Sequence, residues 1–228
     1  DAAEHDDSFH ARPSSSLGRR IGALLPARLA TGTARRYQPF RAKEDDEMPN
    51  PWVFGYGSLI WNPGFRYLRS EKALLRGAHR SLSIYSFRHR GTPELPGLVF
   101  GLSRGGSCLG VAFEVEQAIW PQVFDYLQER EQDRGVYREA WRKVSLADGP
   151  TVSALAYLVN EQHPQFAGRL DLDEQVRLVA RSTGESGRNT EYVRNTAEHL
   201  LALGIRDKML MQIVGALDAN PPLLAESA

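Results

Sequence analysis

The sequence predicts an α+β fold, namely a mixed, largely antiparallel β-barrel with flanking helices. From residue 52 to residue 159 most apolar segments are short or alternate with polar residues, as β-strands do. The C-terminal part instead has helical periodicity. Strands do not alternate with helices, as they would in a parallel βαβ sheet, and no internal repeat is present.

The strand region begins with a buried segment, Trp52–Tyr56, that runs into a glycine turn. Further strands are predicted over residues 81–87, 98–102, 109–115, 140–146 and 151–159. The pair Gly105-Gly106 predicts a hairpin turn between the third and fourth of these six strands. The segment Asp148-Gly149-Pro150 predicts a second hairpin between the last two.

One helix is predicted inside the strand region and three after it. Their predicted ranges are 117–131, about 171–173 to before 184, 189 or 190 to 204, and about 207–217. Gly135 follows the first helix closely enough to end it. Asp171–Asp173 and Asn189-Thr190 supply residues that cap the starts of the next two helices.

Composition excludes several functional classes. The 228 residues contain 28 Lys and Arg and 28 Asp and Glu, so the charge balance does not indicate a nucleic-acid partner or an acidic membrane surface. No apolar run approaches the length of a membrane span. The single cysteine, Cys108, permits no internal disulfide, and this suits a reducing, cytoplasmic setting. The six histidines show no metal-ligand spacing, so we expect no metal site.

Residues 1–47 differ from the rest of the chain. They are rich in Ala, Arg, Ser, Asp and Pro, and only residues 21–25 have any apolar density. Such a segment buries too little surface to offset its ordering entropy. The Arg-rich stretch 19–36 is similar in composition to an organelle transit peptide, but the acidic start, residues 1–7, argues against one. We expect a disordered, dispensable tail, with Met48 starting a catalytic domain over residues 48–228.

A carboxylate in an unusual place is the first candidate for chemistry. Val123, Phe124 and Leu127 form the apolar stripe of the first helix, and Glu131 continues it four residues after Leu127. A carboxylate directed toward an apolar environment has a raised pKa, as a general acid/base near neutral pH requires. The alternative is a helix-end glutamate that turns to water or pairs with Arg130 or Arg134.

The turn Phe54-Gly55-Tyr56-Gly57-Ser58-Leu59 is the second candidate. Two glycines at the end of a buried strand allow a sharp turn whose exposed N–H groups can hold a carboxylate or a developing oxyanion. The segment is neither a Walker A loop nor a dinucleotide fingerprint. No Gly-x-Ser-x-Gly elbow is present, so Ser58 is better interpreted as a hydrogen-bond donor than as a nucleophile. The alternative is a tight turn that simply requires glycine.

Two polar loops and one thiol have competing interpretations. The cationic loop 88–94 can attract an anionic substrate, or it is an ordinary solvated loop. Residues 186–192 form a glycine-bearing helix start that can face an anion and place the Tyr192 hydroxyl in the same cleft, or they form an ordinary capped start. Cys108 has no evident histidine partner, and we expect it to be a small buried residue.

Five segments taken together resemble the ChaC-type γ-glutamylcyclotransferases, a glutathione-specific family. They are Trp52–Trp61, Arg90–Glu94 with Pro96–Val99, Gly110–Phe113, Tyr126-Leu127 with Arg130-Glu131, and Ser186–Tyr192. Each motif is weak alone, but five in the family's order are specific, and they span about residues 52–217. Residues 1–47 are not covered, since family members begin close to the first strand.

The resemblance implies a small mixed β-barrel with flanking helices and a reaction that needs neither metal nor cofactor. Glutathione is the implied substrate, converted to 5-oxoproline and cysteinylglycine, with Glu131 as the acid/base. The implied γ-glutamyl-binding residues are Val53, Phe54, Gly55, Tyr56, Gly57, Ser58 and Leu59. Arg90 and Tyr192 are predicted to contact the rest of the peptide.

Two other functions are compatible with the sequence. The first is a related cyclotransferase that acts on other γ-glutamyl amines or dipeptides, since the pocket for the leaving group is not defined by one sequence. The second is a non-catalytic module that binds a peptide or an anion. An inward carboxylate at Glu131 counts against such a module, because it gives a binder of anionic peptides little advantage.

Overall fold

The computed structural model describes residues 49–132 and 135–219. Its longer strands are β1 Trp52–Gly55, β2 Arg69–Ser86, β3 Gly97–Glu114, β4 Tyr137–Leu146 and β5 Thr151–Val159. The helices are α1 Trp120–Gln132, α2 Leu172–Arg181, α3 Asn189–Ala202 and α4 Lys208–Ala219, with β6 Thr183–Gly184 and β7 Gly187–Arg188 forming a small ribbon between α2 and α3. The expectations for residues 1–47 and Met48 lie outside the described residues.

The five longer strands close into a barrel in the order β1-β3-β2-β4-β5. β1 pairs antiparallel with β3 and parallel with β5, where Trp52 lies opposite Ala154. A second parallel contact joins β3 to β5, and the pairs β2–β3, β2–β4 and β4–β5 are antiparallel. The predicted α+β class, with a mixed and mostly antiparallel barrel beside helices, is confirmed.

The predicted hairpin turn at Gly105-Gly106 is wrong. These glycines lie inside the single 18-residue strand β3, which pairs along its length with the equally long β2. The register shifts between Arg76 and Ala78, where Gly77, Gly105 and Gly106 all have positive φ. The glycines therefore form an irregularity within two paired strands. The segments 98–102 and 109–114 belong to one strand, and the hairpin connection lies at residues 87–96, between β2 and β3.

The hairpin turned by residues 148–150 is confirmed, because β4 and β5 pair antiparallel on either side of it. The three predicted C-terminal helices are also present. The predicted cap of α3 is wrong, because Arg188 is at the N-cap position without a side-chain hydrogen bond and the Asn189 side chain bonds Leu98 of β3 instead. In α2 the predicted cap Asp171 accepts a hydrogen bond from the Glu174 amide at 2.8 Å.

The two larger of three apolar clusters hold the barrel and its helices together. The larger one joins the inner faces of the strands to α2, α3 and α4. The smaller one packs Trp120, Val123 and Leu127 of α1 against Val53 and Leu155 of the barrel. Because the buried stripe of α1 lies on the barrel, the last turn of the helix, with Glu131, is held at the barrel end.

Candidate active site

A cavity of about 490 Å³ opens at one end of the barrel. It is bounded by the turn after β1, the loop after β2, β3, the last turns of α1, the tyrosines of β4 and β5, and the start of α3. The lining residues are Tyr56, Gly57, Ser58, Leu59, Trp61, Asn62, Ser86, His89, Arg90, Val99, Phe100, Tyr126, Arg130, Glu131, Tyr137, Tyr157, Ser186 and Tyr192.

The cavity brings together most of the residues singled out in the sequence. Residues 56–59 form one wall, and Glu131, Arg90 and Tyr192 also line the space. Three predicted binding residues lie elsewhere: Val53 and Phe54 are fully buried in the apolar clusters, and Gly55 is buried below the turn. The structure thus places residues 53–55 beneath the cavity, where they can shape the turn but do not line the space.

Glu131 lies at the cavity with only 14% of its side chain exposed. Its carboxylate oxygen Oε1 is 3.2 Å from Nε of Arg130, so the alternative of pairing with Arg130 describes a real contact. Arg134 lies outside the described residues. Burial raises the pKa of Glu131, and the Arg130 cation opposes that rise. The result is a carboxylate with a raised pKa beside a fixed positive charge.

Four of the tyrosines that line the cavity interact electrostatically with this carboxylate. Burial raises the pKa of Tyr56, Tyr137, Tyr157 and Tyr192, and the Glu131 charge raises the pKa of all four further. For Tyr192 the pKa rises to about 12 even though its bond with the Phe100 amide lowers it. These hydroxyls therefore keep their protons near neutral pH, and those of Tyr56, Tyr157 and Tyr192 can donate hydrogen bonds into the cavity.

Arg130 connects Glu131 to the turn after β1. Its Nη1 donates to the Tyr126 hydroxyl and the Asn62 carbonyl, both at 2.8 Å. Its Nη2 donates to Ser58 Oγ at 3.0 Å. Ser58 therefore accepts from Arg130 and retains its own hydroxyl proton for another acceptor. A guanidinium fixed at so many points sets the distance between the carboxylate and the turn.

The turn after β1 offers backbone donors to the cavity. Residues 58–60 form a single 3₁₀ turn in which the Ile60 amide donates to the Gly57 carbonyl at 3.0 Å. The amides of Ser58 and Leu59 stand at its start, so no carbonyl within the turn accepts from them. No side chain caps this turn. These amides are available to a ligand oxygen.

Side chains complete the hydrogen bonding of β3 where it passes the cavity. The buried Asn189 accepts from the Leu98 amide at 2.7 Å and donates to the Leu98 carbonyl at 2.8 Å. One turn later in α3, the Tyr192 hydroxyl accepts from the Phe100 amide at 3.1 Å. The Tyr137 hydroxyl donates to the Phe100 carbonyl at 3.0 Å. These bonds place both tyrosine hydroxyls at the wall of the cavity.

The cationic loop after β2 covers part of the cavity. Its backbone is hydrogen-bonded to the ribbon before α3. The Glu185 amide donates to the Arg88 carbonyl, and the Ser186 amide donates to the His89 carbonyl. The Arg90 guanidinium lies 5.3 Å from the Tyr192 ring centre, and burial lowers the pKa of Arg90. The loop thus supplies one partly buried cation to the cavity rather than only a solvated surface.

Sequence reasoning missed several of these residues. Tyr137 and Tyr157 give no local signal, because only closure of the barrel brings β4 and β5 to the cavity. Arg130 was interpreted only as a possible partner of Glu131, although its spacing from Tyr126 by one helical turn indicates a second contact. Cys108 is buried as expected, and burial raises the pKa of its thiol.

Within residues 49–132 and 135–219, no group of three or more His, Cys, Asp or Glu side chains is arranged to hold a metal ion. Across the same residues, no helix is both long enough and apolar enough to cross a membrane.

Comparison with known proteins gives concordant relatives. The family model described as "ChaC-like protein" matches residues 51–220. The "Glutathione-specific gamma-glutamylcyclotransferase" of Escherichia coli (strain K12) is 32% identical over 182 residues, covering 80% of this chain and 77% of the relative. The "Glutathione-specific gamma-glutamylcyclotransferase 1" of Danio rerio is 36% identical over 184 residues, covering 76% and 93%.

A solved structure has the same fold. It is a crystal structure of a γ-glutamyl cyclotransferase specific to glutathione from yeast, and it superimposes with a TM-score of 0.69. The alignment covers 75% of this chain and 96% of the yeast chain at 23% identity. At that identity the likeness establishes the barrel architecture alone.

Proposed function

The chain belongs to the ChaC-like protein family, and on that basis we propose that it is a glutathione-specific γ-glutamylcyclotransferase. It converts glutathione to 5-oxoproline and cysteinylglycine. The observation that carries the proposal is the position of Glu131, a buried carboxylate of raised pKa in the same cavity as the amide-bearing turn. The reaction needs the carboxylate for proton transfer and the amides for stabilisation of the developing negative charge.

The first requirement is a folded substrate. The α-amine of the γ-glutamyl group attacks its own γ-carbonyl carbon and closes a five-membered ring, so no protein nucleophile is needed. Holding the chain in this conformation supplies a large part of the rate. Residues 56–59 are the proposed wall against the γ-glutamyl group, and Val53, Phe54 and Gly55 support that wall from the core.

The second requirement is proton transfer. Ionised Glu131 takes a proton from the α-ammonium group, which frees the lone pair for attack. The protonated carboxyl then delivers the proton to the departing cysteinyl nitrogen as the amide C–N bond breaks. The carboxylate regenerated in this way takes the second proton from the ring nitrogen, which leaves the neutral lactam. One carboxylate performs both steps when its pKa lies closer to neutral pH than usual, and burial of Glu131 moves its pKa in that direction.

The third requirement is stabilisation of the tetrahedral intermediate. Negative charge develops on the γ-carbonyl oxygen as the C–N bond of the ring forms. The amides of the turn at residues 57–59 and the Ser58 hydroxyl are the proposed donors to that oxygen. Preorganised donors of this kind stabilise the transition state more than the ground state.

The remaining part of the tripeptide extends from the reacting centre. Arg90 is a partly buried cation at the cavity, suited to an anionic group of the cysteinylglycine portion. Tyr192 adds a hydroxyl that keeps its proton. Both residues are therefore proposed contacts to the leaving group, and they bear on the choice between glutathione and other γ-glutamyl compounds.

The proposal is tested by incubating the protein with glutathione or γ-glutamyl-alanine and following the products by mass spectrometry. We expect 5-oxoproline and cysteinylglycine in equal amounts from glutathione, with little turnover of γ-glutamyl-alanine. Preferred turnover of γ-glutamyl-alanine would identify a cyclotransferase of different specificity. Glutathione bound in calorimetry but recovered unchanged would identify a binding module.

Two further proposals concern the whole chain. The matched segment, residues 51–220, supports a catalytic domain within residues 48–228. Deletion of residues 1–47 should leave melting temperature and turnover unchanged, and a large loss of either would contradict this. A cytoplasmic location is supported by the single buried thiol of Cys108. Fractionation of cells with an antibody against the protein tests that location.

A further inference from the structure

A buried arginine lies directly behind the turn that carries the proposed oxyanion donors. Arg80 is on β2 and exposes only 3% of its side chain. Its Nε donates to the Tyr56 carbonyl at 2.5 Å, and its Nη2 donates to the Leu109 carbonyl at 2.6 Å. Its Nη1 donates to Oδ2 of Asp207 at 2.8 Å. All three nitrogens of the guanidinium are thus engaged, and Arg80 is outside the cavity lining.

The contact with the Tyr56 carbonyl fixes the orientation of the peptide between Tyr56 and Gly57. In a trans peptide the C=O and the N–H point in opposite directions. The carbonyl accepts from Arg80, which is not a lining residue, so the Gly57 N–H points away from Arg80 at a position where Tyr56 and Gly57 both line the cavity. A rotated peptide would instead direct the carbonyl oxygen toward the place where negative charge develops.

Asp207 fixes Arg80 in turn. Oδ1 of Asp207 accepts from the Leu210 amide at 3.2 Å, and its carbonyl accepts from the Met211 amide at 3.0 Å. Asp207 therefore caps the start of α4 with one carboxylate oxygen and holds Arg80 with the other. The last helix of the described chain is linked in this way to the turn after β1.

We propose that Arg80, held by Asp207, is a positioning residue that directs the Gly57 N–H toward the substrate's γ-carbonyl oxygen. This inference rests on the proposed function, and neither residue touches the substrate. Because the amide acts on charge that exists mainly in the transition state, its loss lowers kcat and leaves KM nearly unchanged. A purely structural ion pair would instead lower the stability without changing the kcat of the folded protein.

The test measures kcat, KM and thermal unfolding with glutathione for wild type and four variants. Arg80→Met/Asp207→Asn removes both charges, so that no unpaired charge is buried. Arg80→Lys retains the charge, but its single ammonium group cannot reach the three acceptors that the guanidinium binds. This variant tests the inference if the double variant does not fold. Asp207→Asn retains an acceptor for Arg80. Arg194→Met is the control, since Arg194 pairs with Asp218 between α3 and α4 outside the cavity.

We expect kcat to fall about 10²-fold in the double variant, because this is the usual effect of losing one oxyanion donor. The fall should be at least about tenfold in Arg80→Lys and smaller in Asp207→Asn, with KM near the wild-type value in each. Arg194→Met should retain the wild-type kcat. An unchanged kcat in folded Arg80→Lys, or an equal fall in Arg194→Met, would overturn the inference. Absence of turnover in the wild type would overturn the proposed function and this inference with it.

Discussion

Arg130 and Glu131 are adjacent in sequence, and their side chains meet at the end of α1 with Nε of Arg130 3.2 Å from Oε1 of Glu131. Burial raises the pKa of Glu131, whereas Arg130 lowers it. The same guanidinium bonds Ser58 on the turn after β1. One arginine therefore influences both the protonation of the carboxylate and its distance from the turn.

Arg130→Gln should move the acidic limb of the pH profile to higher pH. Removing the cation leaves burial unopposed, so the pKa of Glu131 rises further. Because the ionised carboxylate is the proposed acceptor of the first proton, kcat/KM for glutathione should begin to fall at a higher pH than in the wild type. Arg130→Lys retains a positive charge and is the matched control, with a lower rate but a limb close to the wild-type position. If the acidic limb of kcat/KM stayed at its wild-type pH in Arg130→Gln, Arg130 would not control the protonation of Glu131.

Glu131→Gln should change how stability depends on pH. Because the folded-state pKa of Glu131 is raised, its contribution to stability is fully present below the ordinary value of about 4.3 and is lost as pH rises through the folded-state value. The variant does not titrate, so it should gain stability relative to wild type on going from about pH 4 to about pH 8. Urea unfolding at both pH values measures the difference. If Glu131→Gln instead lost stability relative to wild type at the higher pH, the folded-state pKa of Glu131 would be lowered and not raised.

Two glycines of the turn should respond differently to alanine. A Cβ on Gly57 would lie 3.5 Å from the Tyr192 hydroxyl and 3.6 Å from Phe100 Cβ, which are ordinary contacts that fill cavity space. A Cβ on Gly55 would lie 3.0 Å from Phe113 Cε2 inside the core. Gly57→Ala should therefore raise KM with little change in stability. Gly55→Ala should cost about 1–3 kcal/mol of unfolding free energy.

The control for these glycine variants is Gly215→Ala on α4, where a Cβ meets nothing within 4 Å. It should leave KM unchanged and stabilise the helix by up to about 1 kcal/mol. Enzyme kinetics and urea unfolding of the three variants separate the two effects. An unchanged KM in Gly57→Ala would show that this part of the wall does not contact the substrate.

Tyr192→Phe should destabilise the protein as well as weaken turnover. The variant leaves the buried Phe100 amide without its acceptor, and such a loss costs about 1–3 kcal/mol. Tyr67→Phe is the control, because Tyr67 is 45% exposed and outside the cavity lining. Urea unfolding of both variants measures the difference. Equal stabilities would mean that the Phe100 amide finds another acceptor.

Local patterns in the sequence predicted the parts that depend on neighbouring residues. Helical spacing placed Glu131 on the buried stripe of α1, and capping residues located the start of α2 at Asp171. Gly105-Gly106 was misinterpreted because paired glycines suit both a hairpin turn and a bend inside a long strand, and only the pairing with β2 decides between them. A local sequence pattern does not predict the structure where the same pattern suits two different structures.

The rest of the site depends on contacts between distant residues. Asn189 bonds Leu98, which is 91 residues away, and Arg80 bonds Asp207, which is 127 residues away. No period or turn signal connects such pairs, since barrel closure and helix docking create the contacts. The carboxylate and the turn were therefore predictable, whereas the residues that hold them in place were not.

Glu131 is the proposed carrier of the protons that are transferred when glutathione is converted to 5-oxoproline and cysteinylglycine. The most direct test incubates wild type and Glu131→Gln with glutathione, follows both products by mass spectrometry, and measures glutathione affinity by calorimetry. We expect both products from the wild type, a fall in turnover of about 10²–10⁴-fold or more in the variant, and similar glutathione affinity in both. Substantial turnover by the folded variant would contradict the role assigned to Glu131.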